Sequence, residues 1–327
     1  GGYVKVGRKG NAKWNFSETF TWSSPGFDLN DMGYMKETDY LMNETEIMYR
    51  QTDIWKIFRY NAFTLSQKNM WNYGGTPFSN NASLRWQSMT MNRYEWDVKE
   101  TFAWNWLDSR LLRGGPDVRF GSYFLTSAKF NTDKAKRMMF MLKYEGDHNF
   151  EGNRFNTISP SLTFRLGNHV YLSGQLDYAW NTDEMQYVAT TSPLSSSSLT
   201  PYYYVMGHMD QKTYGLTLKL QVNVTPDISI QFYGAPFTSI AKYDDFKLAA
   251  DTKSHTFENR FQRIDPDHLT YADGVYTIGE GAGQMPFRNP DFRFNEFRSN
   301  LVARWEYLPG STLYFVWEHR MSNRDNW

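Results

Sequence analysis

Long runs in which every second residue is apolar constrain this chain more than any other feature. In residues 211–226, Tyr214, Leu216, Leu218, Leu220, Val222 and Val224 share one face, and Thr213, Gly215, Thr217, Lys219, Gln221 and Asn223 share the other. In residues 169–181, Val170, Leu172, Leu176, Tyr178 and Trp180 oppose His169, Tyr171, Ser173, Gln175 and Asp177. In residues 94–107, Tyr94, Trp96, Val98, Phe102, Trp104 and Trp106 oppose Glu95, Asp97, Lys99, Thr101 and Asn105. A strand turns successive side chains to opposite faces, so each run reads as a β-strand with one apolar and one polar face. The runs reach 10 to 14 residues. Soluble strands are usually ~5–6 residues long, whereas a tilted membrane-crossing strand needs ~9–11.

The connections between runs alternate short and long. Short ones are expected at Arg8–Gly10, Gln51–Asp53, Asn92–Arg93, Asn131–Lys136, Gly167–Asn168, Thr225–Asp227 and Pro309–Ser311. Long ones are expected at Ser23–Asp39, Asn69–Asn80, Asp108–Asp117, Gly146–Asn153, Thr182–Asp210 and Phe237–Asn295. Outer-membrane barrels have short periplasmic turns and long extracellular loops. The expected fold is therefore all-β: an antiparallel transmembrane β-barrel with about fourteen strands, residues 1–327 forming one barrel domain. By parity both chain ends fall on the extracellular side, so the expectation is a fragment of a larger barrel of about sixteen strands or more, cut at both ends.

Composition narrows the function. Lys+Arg and Asp+Glu are equal at 35 each, which leaves no basic footprint for nucleic acid. Without cysteine, disulfides, thiolate zinc sites and Cys nucleophiles are excluded. Aromatic residues reach 18%, which suits the interfacial girdles of a membrane barrel but also a sugar-binding sandwich. Mean hydropathy is −0.65 and no apolar run approaches a spanning helix, so crossing must be by strands. The six histidines form no metal-binding spacing, and no nucleophile elbow or P-loop is present. No catalytic residue, cofactor or metal is expected, and the chain reads as a non-enzyme.

Three stretches bear a likeness to known sequences: SPGFDLNDMGYMKETD (Ser24–Asp39), RLLRGGPDVRFGSYF (Arg110–Phe124) and EFRSNLVARWEYLPGSTLYFVWEHR (Glu296–Arg320). Together they resemble a Bacteroidota family with an N-terminal module similar to family-9 carbohydrate-binding domains. Its C-terminal region is a large domain of unknown function taken to be an outer-membrane barrel. The resemblance implies a Gram-negative outer-membrane location and surface glycan handling. It brings no catalytic residues, and neither the module nor a final closing strand is within this sequence.

The strand registers assign faces. Trp14, Phe16, Trp96, Trp104, Leu172, Leu176, Leu216, Leu218, Leu220, Val222, Leu301, Trp305, Phe315 and Trp317 are expected to meet lipid. Glu95, Asp97, Lys99, Asp177, Lys219 and Arg304 are expected to face the lumen, where water or pairing makes charge tolerable. Glu18 and Glu100 break the rule by falling in the lipid-facing register. They are expected to meet a partner protein or to be turned inward by a bulge. Tyr202, Tyr203 and Tyr204, after the serine run Ser195–Ser198 in a long outer loop, read as members of the upper aromatic girdle, with sugar stacking as the alternative. Asp244–Asp245 and Asp267–His268, in the longest loop, read as solvated loop acids or loose Ca²⁺ contacts, with the water-activating pairs of a barrel hydrolase as the minor alternative. Expected partners are outer-membrane lipid and lipopolysaccharide, with other outer-membrane proteins or lipoproteins. The readings carried forward are a pore or transport-related glycan-handling barrel, an interaction subunit of a larger complex, a barrel hydrolase and a soluble sugar-binding sandwich.

Overall fold

A computed structural model describes residues 1–27, 38–104, 106–167, 169–194 and 202–325. Ser195–Ser198, Asn105, Asn168 and most of the Ser24–Asp39 motif lie outside the described residues. Fourteen antiparallel strands follow one another as a meander: β1 (Gly2–Arg8), β2 (Trp14–Ser23), β3 (Tyr40–Gln51), β4 (Phe58–Trp71), β5 (Pro77–Thr90), β6 (Glu95–Trp104), β7 (Tyr123–Asn131), β8 (Met138–Asn149), β9 (Arg154–Leu166), β10 (Val170–Thr191), β11 (Tyr203–Asn223), β12 (Ile228–Ala249), β13 (Phe292–Leu308) and β14 (Ser311–Asp325). Each neighbours the next, and β1 and β14 each have one neighbour in the meander. Among the described residues no helix is long and apolar enough to cross a membrane, which leaves crossing by strands untouched.

The chain divides into two compact units, interleaved in sequence. One comprises Gly1–Ala128, Gly146–Gly152 and Ala249–Gln262; the other comprises Lys129–Glu145, Asn153–Leu248 and Arg263–Trp327. The short turns fall where the sequence puts them. Arg93, Gly167 and Gly310 take φ of 61°, 64° and 80°, the left-handed conformation that tight turns demand.

The strands are often longer than expected. β4 and β5 close through the tight turn 72–76, where the Gly75 amide donates to the Asn72 carbonyl at 2.9 Å and the Thr76 amide donates to Asn72 Oδ1 at 2.8 Å. The loop expected at Asn69–Asn80 is therefore mostly strand. β10, β11 and β12 run 22, 21 and 22 residues, consuming much of the expected loops at Thr182–Asp210 and Phe237–Asn295. Their upper parts contain register shifts at Asp183/Gln186, Tyr187/Ala189 and Met206/His208. Each bulge resets the period of two, which is why alternation does not reveal these extensions. The remaining insert is folded too: Leu269–Ala272, Val275–Ile278 and Met285–Arg288 pair as a small antiparallel sheet. It encloses a core of Val205, Phe246, Ile278 and Phe287.

One expected strand is broken. Residues 118–130 divide into Val118–Phe120, which pairs with Trp106–Asp108, and β7. At the break Gly121 donates its amide to Glu151 Oε2 at 3.0 Å. The Arg119 carbonyl accepts from Arg260.

Candidate functional site

The alternation produces two chemically opposed faces, and their exposure is the reverse of a soluble core. On the apolar face of β2–β6, Trp14 is 60% exposed and Phe16, Ile47, Phe63, Leu65, Leu84 and Trp96 are likewise open. On the opposite face Ser17, Glu46, Ser66, Ser83 and Thr101 stand in one row. Ser17 there is 5% exposed, Ser83 and Thr101 are also buried, and the Ser66 and Ser83 hydroxyls meet at 2.7 Å. Small polar side chains are thus covered while large rings are not, contrary to the usual preference for burying apolar groups.

The β9–β14 strands repeat the arrangement. Leu172, Leu220, Phe232, Leu301 and Trp317 form one apolar row, and Val170, Val222, Ile230, Ala303 and Phe315 the next. Leu176 pairs with Leu216, and Trp305 pairs with Leu313 on the same face. The Trp104 ring lies beside Phe102 at 5.6 Å on the apolar face of β6.

The polar face holds the charges. Asp97 accepts from Arg85 Nε at 2.8 Å, from its Nη2, and from Gln87 at 3.3 Å. Lys99 stands opposite Arg85, and Glu95 opposite Met89. Asp177 accepts from Ser159 at 2.6 Å and Gln175 at 2.8 Å. Lys219 stands opposite Ser173 and Tyr233. Arg304 pairs with Glu306 at 2.6 Å. Tyr171, Lys219, Gln221, Gln231, Tyr233 and Asn300 line a cavity of about 430 Å³ on this face.

Glu18 and Glu100 lie on the apolar face, in registers that run without a shift through both residues. No bulge turns either of them over. Glu18 accepts from Asn43 and from Thr45 Oγ1 (2.6 Å), and Glu100 accepts from Thr126 Oγ1 at 2.7 Å. Asn43 is opposite Asn69, which is opposite Asn80; Thr45 is opposite Gln67. Glu18 therefore belongs to a polar band, with Asn43, Thr45, Gln67, Asn69 and Asn80, across the apolar face of β2–β5, whereas Glu100 stands opposite Leu84 in the neighbouring apolar row. The sequence reading found the acids but missed the amides, because β3 and β4 alternate poorly where the band crosses them.

The Arg110–Phe124 motif forms a latch with residues 249–262. The Arg260 guanidinium, 1% exposed, pairs with Glu151 and donates to the carbonyls of Arg119 and Ser254. The Arg119 amide donates to the Thr252 carbonyl at 2.9 Å, Thr252 Oγ1 donates to the Asp117 carbonyl at 2.7 Å, and Lys253 pairs with Asp117 at 2.9 Å. Leu112 and Val118 are fully buried in this unit. A buried pair with every neighbour satisfied positions chain more than it stabilises it, so the motif has a structural reading.

Tyr203 and Tyr204 lie in β11 opposite Thr191 and Thr190, not in a loop; Tyr202 precedes the strand and is exposed. Asp244 and Asp245 lie in β12, also not in a loop. Asp245 is engaged by Lys247 at 3.3 Å and Arg263 at 3.6 Å. His268 closes a short 3-10 turn and lies 3.9 Å from Asp265. A cluster absent from the sequence reading sits on the strand extensions, where His208 Nδ1 meets Glu184 Oε1 at 3.0 Å and His208 Nε2 lies 3.6 Å from Asp210. Burial pushes the neighbouring Asp183 carboxyl up, against the lowering pull of the Met185 amide.

These features define a class: an antiparallel all-β meander with an exposed apolar face and a charged opposite face. Within that class the chain belongs to the family described as Domain of unknown function (DUF5916), whose model matches residues 3–327. No curated protein and no solved structure matches the chain.

Proposed function

We propose that this chain is the wall of a β-barrel in the outer membrane of a Gram-negative bacterium, serving as a pore or transport-related channel for surface glycan handling. The observation that supports this reading is the inverted burial, with Trp14, Phe16, Leu84, Leu176 and Leu218 open while serines and threonines of the opposite face are covered. Exposed apolar area of that extent on a free particle would aggregate, whereas against hydrocarbon it is the favourable state. The charged face, with Asp97, Lys99, Asp177, Lys219 and Arg304, then lines an aqueous interior of mixed charge and weak ion selectivity. The glycan component rests on the family resemblance alone. Outer-membrane lipid and lipopolysaccharide are the surrounding partners.

The test is expression of the whole gene product, extraction, and liposome swelling. Recovery only in detergent together with flux of neutral sugars is the expected result. Recovery in buffer without detergent sinks the membrane reading, and detergent dependence without flux sinks the pore.

A second reading, an interaction subunit of a larger outer-membrane complex, is favoured by the polar band of Glu18, Asn43, Thr45, Gln67 and Asn69. A carboxylate with amides on a lipid-facing wall suits a neighbouring protein that presents Lys, Arg or amide donors.

A further inference from the structure

Along β11 the apolar-face residues read, from the short turn upward, Val222, Leu220, Leu218, Leu216, Tyr214 and then Lys212. At ~3.4 Å per residue and ~40° tilt, Val222 to Lys212 spans about 26 Å of height, the ~25 Å of a barrel's apolar band. Lys212 therefore falls at the upper edge of the band. Its row contains Trp180 on β10 and Ile240 on β12; the next row contains Thr182, Asp210 and Lys242.

Trp180, Thr182, Asp210, Lys212, Tyr214, Ile240 and Lys242 line a cavity of about 390 Å³ with Asn181 and Gln211. Tyr178 stacks between the Trp180 and Tyr214 rings, at 5.2 and 5.0 Å, and makes a flat aromatic floor below it. Lys212 and Lys242 are exposed, and neither forms an ion pair among the described residues. Asp210, the acid of the cavity, accepts from Thr182 Oγ1 of the same lining at 2.8 Å and lies 3.6 Å from His208.

We propose that this rim cavity is a binding site for the phosphorylated headgroup of an acyl-chain lipid whose tails lie along Leu216, Leu218 and Leu220. The inference rests on the barrel reading and adds a ligand class to it. Two unpaired ammonium groups above aromatic rings, at the edge of an apolar wall, match an anionic head joined to hydrocarbon. A soluble anion would use only the lysines, and a zwitterionic lipid would use only the wall. Each lysine near a headgroup contributes about five-fold in affinity, so the pair contributes about thirty-fold.

The experiment is native mass spectrometry of the full chain in detergent micelles with diphosphoryl lipid A, phosphatidylglycerol, phosphatidylcholine or inorganic phosphate added. The two phosphorylated, net-anionic lipids should be retained, phosphatidylcholine should not, and Lys212→Gln with Lys242→Gln should cut retention about thirty-fold. Lys219→Gln on the opposite face should leave it unchanged, and Lys212→Arg with Lys242→Arg should keep it. Equal retention by the Gln pair, or displacement by micromolar inorganic phosphate, overturns the proposal. Failure of the barrel reading appears earlier and separately, as a chain that is soluble without detergent.

Discussion

The apolar face of β9–β13 and that of β2–β6 are built by the same alternation, yet they differ. On β9–β13 the rows from Val170–Val222–Ile230 up to Leu176–Leu216 carry no charge. On β2–β5 two rows of aromatic and aliphatic residues, Trp14–Tyr49–Phe63–Trp86 and Phe16–Ile47–Leu65–Leu84, the second meeting Glu100 of β6, are followed by Glu18–Thr45–Gln67 and then Phe20–Asn43–Asn69–Asn80. A row that is apolar from β2 to β4 returns only with Trp22–Leu41–Trp71. Hydrocarbon offers no hydrogen bonds, so a surface meeting lipid alone has reason to look like the first and none to look like the second. On the barrel reading, the difference separates a wall suited to lipid alone from one suited also to a polar partner.

The largest effect should come from placing a cation on each. Leu218→Lys puts an ammonium in the middle of the uncharged face and should cost about 2–4 kcal/mol in lipid. Gln67→Lys, one position from Glu18 through Thr45, should cost less than half as much, because a carboxylate and amides are at hand. Urea titration in lipid vesicles measures both. Equal costs erase the distinction between the faces.

Glu18→Leu should act with the opposite sign. A lipid-facing carboxyl is unfavourable by less than a Lys at the same depth, under about 2 kcal/mol. The isolated chain should therefore gain about 1 kcal/mol in vesicles, even after loss of the bonds from Asn43 and Thr45. A net loss would make the band a structural network of the sheet and remove the case for a neighbouring protein.

How much of this was legible depended on which side of each strand met a single solvent. Where one face is uniformly apolar, as at Leu216–Leu218–Leu220, the period of two is clean, and the strands and the short turns between them follow from it. Where the face is mixed, as at Asn43 and Asn69, the period fades, and β3 and β4 gave up their registers only to the structure. In the upper parts of β10–β12 buried apolar residues such as Met185, Val205, Met206 and Phe246 are interspersed with charges, and bulges reset the phase, so Tyr203, Asp244 and Asp245 read as loop residues. The Arg260–Glu151 latch had no local signal at all, since the pair is separated by more than a hundred positions and each looks like an ordinary loop charge.

A smaller effect is expected on the charged face. Arg85→Ala breaks the bidentate contact to Asp97, but both side chains are a third or more exposed. Water supports Asp97 in the absence of its partner, so the cost should be about 0–1 kcal/mol. The same vesicle titration checks it, and a loss of several kcal/mol would mean that this face is dry.

The smallest change is Asp183→Asn on the β10 extension, which keeps the shape and the acceptor for the Met185 amide. Its consequence is a slope and not an offset. Burial raises the Asp183 carboxyl in the folded state, so between the ordinary carboxylate value and that raised value the folded chain holds a proton the unfolded chain has released. Stability of the extension is then greatest below the ordinary value and declines as pH rises through the raised one. Glu184 adds to the rise, while Lys247 and His208 oppose it. Hydrogen exchange of residues 183–191 and 203–210 across acid to neutral pH should show wild type losing protection relative to Asp183→Asn as pH increases. The difference between the two isolates Asp183 from the groups around it. If the two pH curves run parallel, Asp183 titrates alike in folded and unfolded chain, and the extension above the uncharged face is as wet as the charged face.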